Sequence, residues 1–130
     1  MAKIIIVEDD FKVANIYKNR LTEEGHQILI AADIQAADLI AREKPDLVLL
    51  DILMPKINGL TILREVKAQN ELADIPFLVL TNVEDATEVQ QAIELGASGY
   101  LVKADTSLDL LAQKVNEVLS AGAIATGVKA

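Results

Sequence analysis

Four short apolar runs in this sequence stop at residues that can do chemistry. Residues 4–7 stop at Glu8-Asp9-Asp10, residues 47–50 at Asp51, residues 77–80 at Thr81, and residues 100–102 at Lys103. A fifth run, residues 28–31, leads into Ala32 and meets nothing reactive before Asp33. If Glu8, Asp9 and Asp51 meet, their carboxylates cannot stand together bare: two like charges about 4 Å apart repel by roughly 4 kcal/mol at an effective dielectric near ~20. A cation, a proton or the Lys103 ammonium must sit beside them. Oxygen donors without histidine or cysteine select a hard ion. Mg2+ suits a few carboxylates that leave positions open for water and phosphoryl oxygens. Once such an ion lowers the local negative charge, an aspartate can attack phosphorus as a nucleophile. A lysine and a threonine can then hold the phosphoryl oxygens as cation and hydrogen-bond donor. The set fits phosphoryl transfer and little else.

Such convergence requires a particular scaffold, and the spacing supplies it. The five apolar runs are short and nearly continuous, as strands covered on both faces are. Between them lie stripes at helical spacing. Phe11, Ala14, Tyr17 and Leu21 form the first, closed by Gly25 at the position of a C′ glycine. Ile34, Ala37 and Ala41 form the second, ended by Pro45; Leu60, Leu63 and Val66 form the third. Val89, Ala92 and Ile93 form the fourth, stopped at Gly96. Leu108, Leu111, Val115 and Val118 form the fifth, with Ser107 or Asp105 as its cap. Alternating strands and helices predict an α/β fold of parallel βαβ units with right-handed crossovers. In an open parallel sheet the carboxyl ends of all strands share one rim, where ligands bind. Glu8, Asp9, Asp51, Thr81 and Lys103 are thereby expected around one crevice, and the strand with no reactive end is expected at an edge. Asp10 reads as a helix cap, and His26, beside that barren strand, as structural.

Composition sets the limits. A chain of 130 residues, 52% hydrophobic, fits one domain with a real core, which at 3% aromatic content must be mostly aliphatic. Cysteine is absent and histidine occurs once, which removes disulfides, thiol catalysis and His/Cys metal sites. A net charge of −8 argues against a surface that grips nucleic acid. The apolar stretch 4–7 is too short for a signal segment or a membrane span, so a cytoplasmic location is expected.

The motifs Val7-Glu8-Asp9-Asp10, Asp51-Ile52-Leu53-Met54-Pro55-Lys56-Ile57-Asn58-Gly59, Thr81 and Gly96-Ala97-Ser98-Gly99-Tyr100-Leu101-Val102-Lys103 occur in that order after their strands. Together they resemble the receiver domain of bacterial response regulators, the CheY-like family, over about residues 3 to 120. The resemblance implies a single doubly wound, flavodoxin-like sheet of five parallel strands in the order 2-1-3-4-5, flanked by five helices. It makes residues 1–120 the receiver and 121–130 a short tail expected to fray. It implies that Asp51 is the phosphoacceptor, Asp9 a direct Mg2+ ligand, Glu8 an acid reaching the metal through water, and the Leu53 main-chain carbonyl a further ligand. Thr81 resembles the switch hydroxyl, Lys103 the cation that pairs with the phosphoryl group, and Tyr100 the aromatic that swings as Thr81 moves. The face of helix 4, strand 5 and helix 5 would then meet an unknown output protein. The phosphoryl group would come from a sensor histidine kinase or a phosphotransfer protein. The expected state is a monomer, with dimerisation on phosphorylation as the variant, and no direct contact with nucleic acid or membrane. The chain would accept a phosphoryl group on itself and lose it slowly, rather than act as an enzyme.

Two positions depart from the family pattern. Ala104 stands where many receivers have a cis proline; a cis bond before alanine costs about 2.5–4 kcal/mol, so a trans bond is expected. Asn82 stands where a small residue is common. Nothing after Ser120 resembles an output domain, which suggests a stand-alone receiver; a receiver cut from a longer regulator or hybrid kinase has the same sequence. A small aspartate-nucleophile phosphatase shares the acid, threonine and lysine set. It would carry a second aspartate where this chain has Leu53, and a lid for which no insertion is long enough. A receiver fold used purely for docking, without phosphorylation, is the third alternative.

Overall fold

The structure, a computed structural model, describes residues 2–32, 35–52, 54, 58–81 and 86–129. Five strands alternate with five helices: β1 (Lys3–Val7), α1 (Phe11–Glu23), β2 (Gln27–Ala31), α2 (Ala36–Glu43), β3 (Leu47–Asp51), α3 (Gly59–Lys67), β4 (Phe77–Thr81), α4 (Ala86–Glu94), β5 (Gly99–Val102) and α5 (Leu108–Lys129), with one 3₁₀ turn at Lys103–Asp105. Every strand pairing is parallel and the order is β2-β1-β3-β4-β5. The strand without a reactive end is therefore an edge, as its sequence implies.

Alternation along the strands divides the core in two. Ile5, Val7, Val48, Leu50, Phe77 and Val79 face one way, against Ala36 and Ile40 of α2, Leu60, Ile62, Leu63 and Val66 of α3, and Ala92 of α4. Ile4, Ile6, Leu47, Leu49, Leu78 and Leu80 face the other way, against Ala14 and Leu21 of α1 and Leu111, Ala112 and Val115 of α5. The central strands β3 and β4 are buried along their full length. That is why their sequences are apolar up to the terminal Asp51 and Thr81.

The helix stops follow local chemistry. Gly25 and Gly96 take φ of 93° and 104°. Each closes a Schellman turn: Gly25 and His26 N–H donate to Thr22 O and Leu21 O, and Gly96 and Ala97 N–H donate to Ile93 O and Ala92 O. α2 ends with Lys44 at φ 47°, just before Pro45. Ser107, not Asp105, caps α5: its Oγ accepts from the Leu110 N–H at 3.0 Å.

Two expectations need correction. Phe11 opens α1 but is 70% exposed, so the inward stripe consists of Ala14, Leu21 and the half-buried Tyr17. α2 buries Ala36 and Ile40, with Ala37 and Ala41 half-buried; Ile34, assigned to this stripe, lies outside the described residues. α5 is assigned from Leu108 to Lys129. Ala121, Ala123 and Ala125 there carry the highest helix propensity of any residue.

Candidate functional site

Glu8 continues β1 by one step, its N–H donating to Ala31 O of β2 at 3.0 Å. This extra rung holds its side chain inside the rim, 2% exposed. Asp9 is exposed. Asp10 leaves the crevice to cap α1, its Oδ1 accepting from the N–H groups of Lys12 (3.0 Å) and Val13 (3.3 Å). Asp51, the last residue of β3, is 1% exposed. Its neighbour Ile52 donates to Leu80 O of β4 at 3.0 Å, which carries the ladder past the aspartate. Thr81 ends β4, is fully buried and pairs with Val102 of β5. It stands one register step beyond Leu80, the partner of Asp51, so the two residues end adjacent strands.

Lys103 follows β5 directly and joins two of the acids. Its Nζ donates to Glu8 Oε1 at 2.5 Å and to Asp51 Oδ2 at 3.1 Å. The other Glu8 oxygen accepts from the Asp10 N–H at 3.2 Å. Carboxylate oxygens of Glu8, Asp9 and Asp51 all lie within 4.8 Å of one another, forming a group that could hold a metal ion. Three carboxylates thus face one ammonium.

Electrostatics follow from this crowding. Burial pushes the Glu8 carboxyl above its ordinary range and the Asp51 charge adds to the rise, while the Lys103 bond opposes both. Asp9 is raised by desolvation and by its neighbour Glu8. For Lys103, burial works to lower the pKa, but the bond to Glu8 and the charge of Asp51 outweigh it and raise it.

Two backbone features position these groups, and their sequence signals are weak. A Cβ on Gly59 would stand 2.4 Å from Asp51 O and 2.8 Å from Ile52 Cα, and the Gly59 N–H donates to Ile52 O at 2.7 Å. Glycine lets the start of α3 press against the strand end that carries Asp51. Asn58 caps α3, with Oδ1 accepting from the Leu60 N–H at 2.8 Å. Thr106 closes the turn behind Lys103: its Oγ1 donates to Val102 O at 2.7 Å and its N–H to Lys103 O at 3.3 Å. No cis bond occurs among the described residues, so Lys103–Ala104 is trans.

Glu8, Asp9, Asp51 and Lys103 are thus in one place, with Thr81 on the adjacent strand end. Tyr100 is apart from them, 45% exposed on β5. Leu53, Pro55, Asn82 and Val83 lie outside the described residues. His26 sits at the opposite rim, with Nδ1 accepting from the Ala2 N–H at 3.1 Å and Nε2 3.0 Å from Asn116 Oδ1.

Comparison with known proteins agrees with this geometry. Residues 4–116 match the response regulator receiver domain family. The response regulator MprA of Mycobacterium sp. (strain KMS) is 35% identical over 112 residues, covering 85% of this chain and 48% of the regulator. The chain therefore spans about half the length of that relative. The BeF3-activated N-terminal receiver domain of RstA from Klebsiella pneumoniae superposes with a TM-score of 0.81 at 33% identity, over 90% of this chain and 97% of that domain. The receiver domain of a signal transduction histidine kinase from Syntrophus aciditrophicus gives 0.83 at 32% identity, over 93% and 92%.

Proposed function

This chain belongs to the response regulator receiver domain family, a family of phosphoacceptors, and from that premise we propose that Asp51 takes a phosphoryl group from a histidine kinase or phosphotransfer protein. The supporting observation is the Lys103 bridge between Glu8 and Asp51 with Asp9 alongside. These acids lie too close together for one lysine to neutralise.

The donor set fits Mg2+: hard oxygens, no histidine or thiol, and more carboxylate charge than Lys103 offsets. Asp9, Asp51 and the Leu53 carbonyl would hold the ion, with Glu8 reaching it through water. When bound, it would supply Lewis-acid neutralisation of the carboxylates and of the incoming phosphoryl oxygens.

The chain's own groups do the rest. Asp51 is fixed at the end of a fully paired, buried strand, so little reorganisation separates it from attack on phosphorus. An Asp51 oxygen displaces the donor imidazole. Lys103, tethered by Thr106, follows the new charge and binds a phosphoryl oxygen. Thr81 donates its hydroxyl to another and draws the end of β4 toward Asp51. Tyr100 then moves inward, reshaping the face of α4, β5 and α5 for an output partner or for a second copy on phosphorylation. Slow self-dephosphorylation and a cytoplasmic setting complete the reading, with residues 1–120 as the functional unit. No described helix is long and apolar enough to cross a membrane.

The test is phosphoryl uptake from acetyl phosphate with Mg2+, followed by intact mass. The wild type should gain one phosphoryl group and Asp51→Asn none. An undiminished gain in Asp51→Asn would refute the assignment.

A further inference from the structure

The two edges of the sheet are built differently. In a parallel ladder, alternate residues of an edge strand bond to its neighbour. Gln27 N–H donates to Ala2 O at 2.8 Å, and Ala31 O accepts from Glu8 N–H at 3.0 Å. Gln27, Leu29 and Ala31 are therefore the residues that bond to β1. Ile28 and Ile30 turn their N–H and C=O groups outward, where no described residue meets them.

Native proteins guard such an edge with charge or proline. The β2 sequence, QILIA, has neither, although the chain as a whole carries a charge of −8. Beside the edge opens a hollow of about 600 Å³, with Ile30 and Leu39 on its walls and Asp38 and Arg42 bordering it. Leu29 belongs to the core layer of α2, and Ile30 to that of α1 and α5.

We propose that β2 is the seam of a homodimer in which a second copy of this chain pairs with it antiparallel, extending one sheet through both molecules. The register is self-complementary. A two-fold axis through Leu29 sets Ile28 opposite Ile30 of the second copy, and Ile30 opposite its Ile28. Every outward N–H then meets an outward C=O. Leu29 lies over its own counterpart as a close, non-hydrogen-bonded pair. The charges obey the same symmetry: Asp38 and Arg42 are one turn apart on α2, and reversing the helix sets each Asp38 opposite the Arg42 of the other copy. A second copy offers both the free backbone edge and the complementary charges. β2 and β5 are opposite edges, so this dimer leaves the crevice and the α4–β5–α5 face open. It forms without phosphorylation.

Sedimentation equilibrium of the full chain, without phosphodonor, tests it. The mass should rise with concentration toward twice that of one chain. Asp38→Arg sets like charges across the seam and should weaken association about tenfold or more. The double swap Asp38→Arg/Arg42→Asp should restore it. Ile30→Pro should also dissociate the dimer, because it removes an outward N–H that the β1 ladder does not use. The charge swap alters exposed residues, so it decides the matter even if the proline variant folds poorly. A chain that stays monomeric up to about millimolar concentration overturns the proposal. So does a dimer indifferent to Asp38→Arg.

Discussion

The two rims of the sheet use the same residue types to opposite ends. At the amino-terminal rim several charges are matched locally. Lys3 Nζ meets Glu43 Oε1 at 3.2 Å, and the Lys3 N–H donates to Asp46 Oδ2 at 2.8 Å. Lys67, lowered in pKa by burial, donates hydrogen bonds to Ala73 O and Ile75 O at 2.8 and 2.7 Å. His26 and Asn116 link α5 to Ala2, just before β1, and to Glu24. At the carboxyl rim, by contrast, Glu8 and Asp51 are 2% and 1% exposed and share one lysine with Asp9 close by. One rim pairs its charges singly; the other gathers three carboxylates around one ammonium. Buried charge left partly uncompensated marks the candidate functional end.

That contrast can be broken most forcefully at the lysines. Lys103→Met leaves two buried carboxylates without their cation, so the metal-free protein should lose about 3–5 kcal/mol in urea unfolding. Lys3→Met, removing a half-exposed pair, should cost under about 1 kcal/mol. Equal losses would erase the distinction between the rims.

The glycines sharpen it next. Gly59→Ala forces a methyl group against the Asp51 backbone and should cost about 1–3 kcal/mol and slow phosphoryl uptake. Gly25→Ala meets open space but keeps a φ of 93°, so it should cost about 1 kcal/mol and leave uptake unchanged. Paired unfolding and phosphorylation rates check both.

Smaller is the linkage to metal. Added Mg2+ should raise the melting temperature of the wild type. Asp9→Ala should flatten that rise, whereas Glu43→Ala should not, and a rise surviving Asp9→Ala would remove that residue from the metal set.

Smallest is the pH slope of the metal-free protein. Glu8 and Asp9 titrate above their ordinary values of 4.5 and 3.8 when folded. Between the ordinary and raised values the folded chain holds protons that the unfolded chain has released. Stability should therefore fall as pH rises through that window. Melting curves in chelator should show this, and Glu8→Gln should lessen it. An unchanged slope would mean that Glu8 does not carry the shift.

Sequence patterns located the candidate site residues in the fold better than they phased the helices. Strand ends are legible because a buried strand can expose chemistry only where it leaves the sheet, and Asp51, Thr81 and Lys103 stand at such exits. Helix phase was harder. Around α2 the run Ala36-Ala37-Asp38-Leu39-Ile40-Ala41 has apolar residues on nearly every side, so periodicity alone could not choose Ala36 and Ile40 over Ala37 and Ala41. Phe11 misled because apolarity in a first helical turn does not ensure that the core reaches it. The closeness of Gly59 to Asp51 depends on a contact between two elements, which no local pattern records. The same is true of the pairing of Lys103 with Glu8.

Peptide mapping of the wild-type chain after acetyl phosphate and Mg2+ bears most directly on the central claim, that the carboxyl rim is built to receive a phosphoryl group. A single phosphoryl group on the peptide containing Asp51, absent when Mg2+ is chelated, is the predicted result. Labelling at Glu8, Asp9 or Asp10 instead, or none at all, would contradict it.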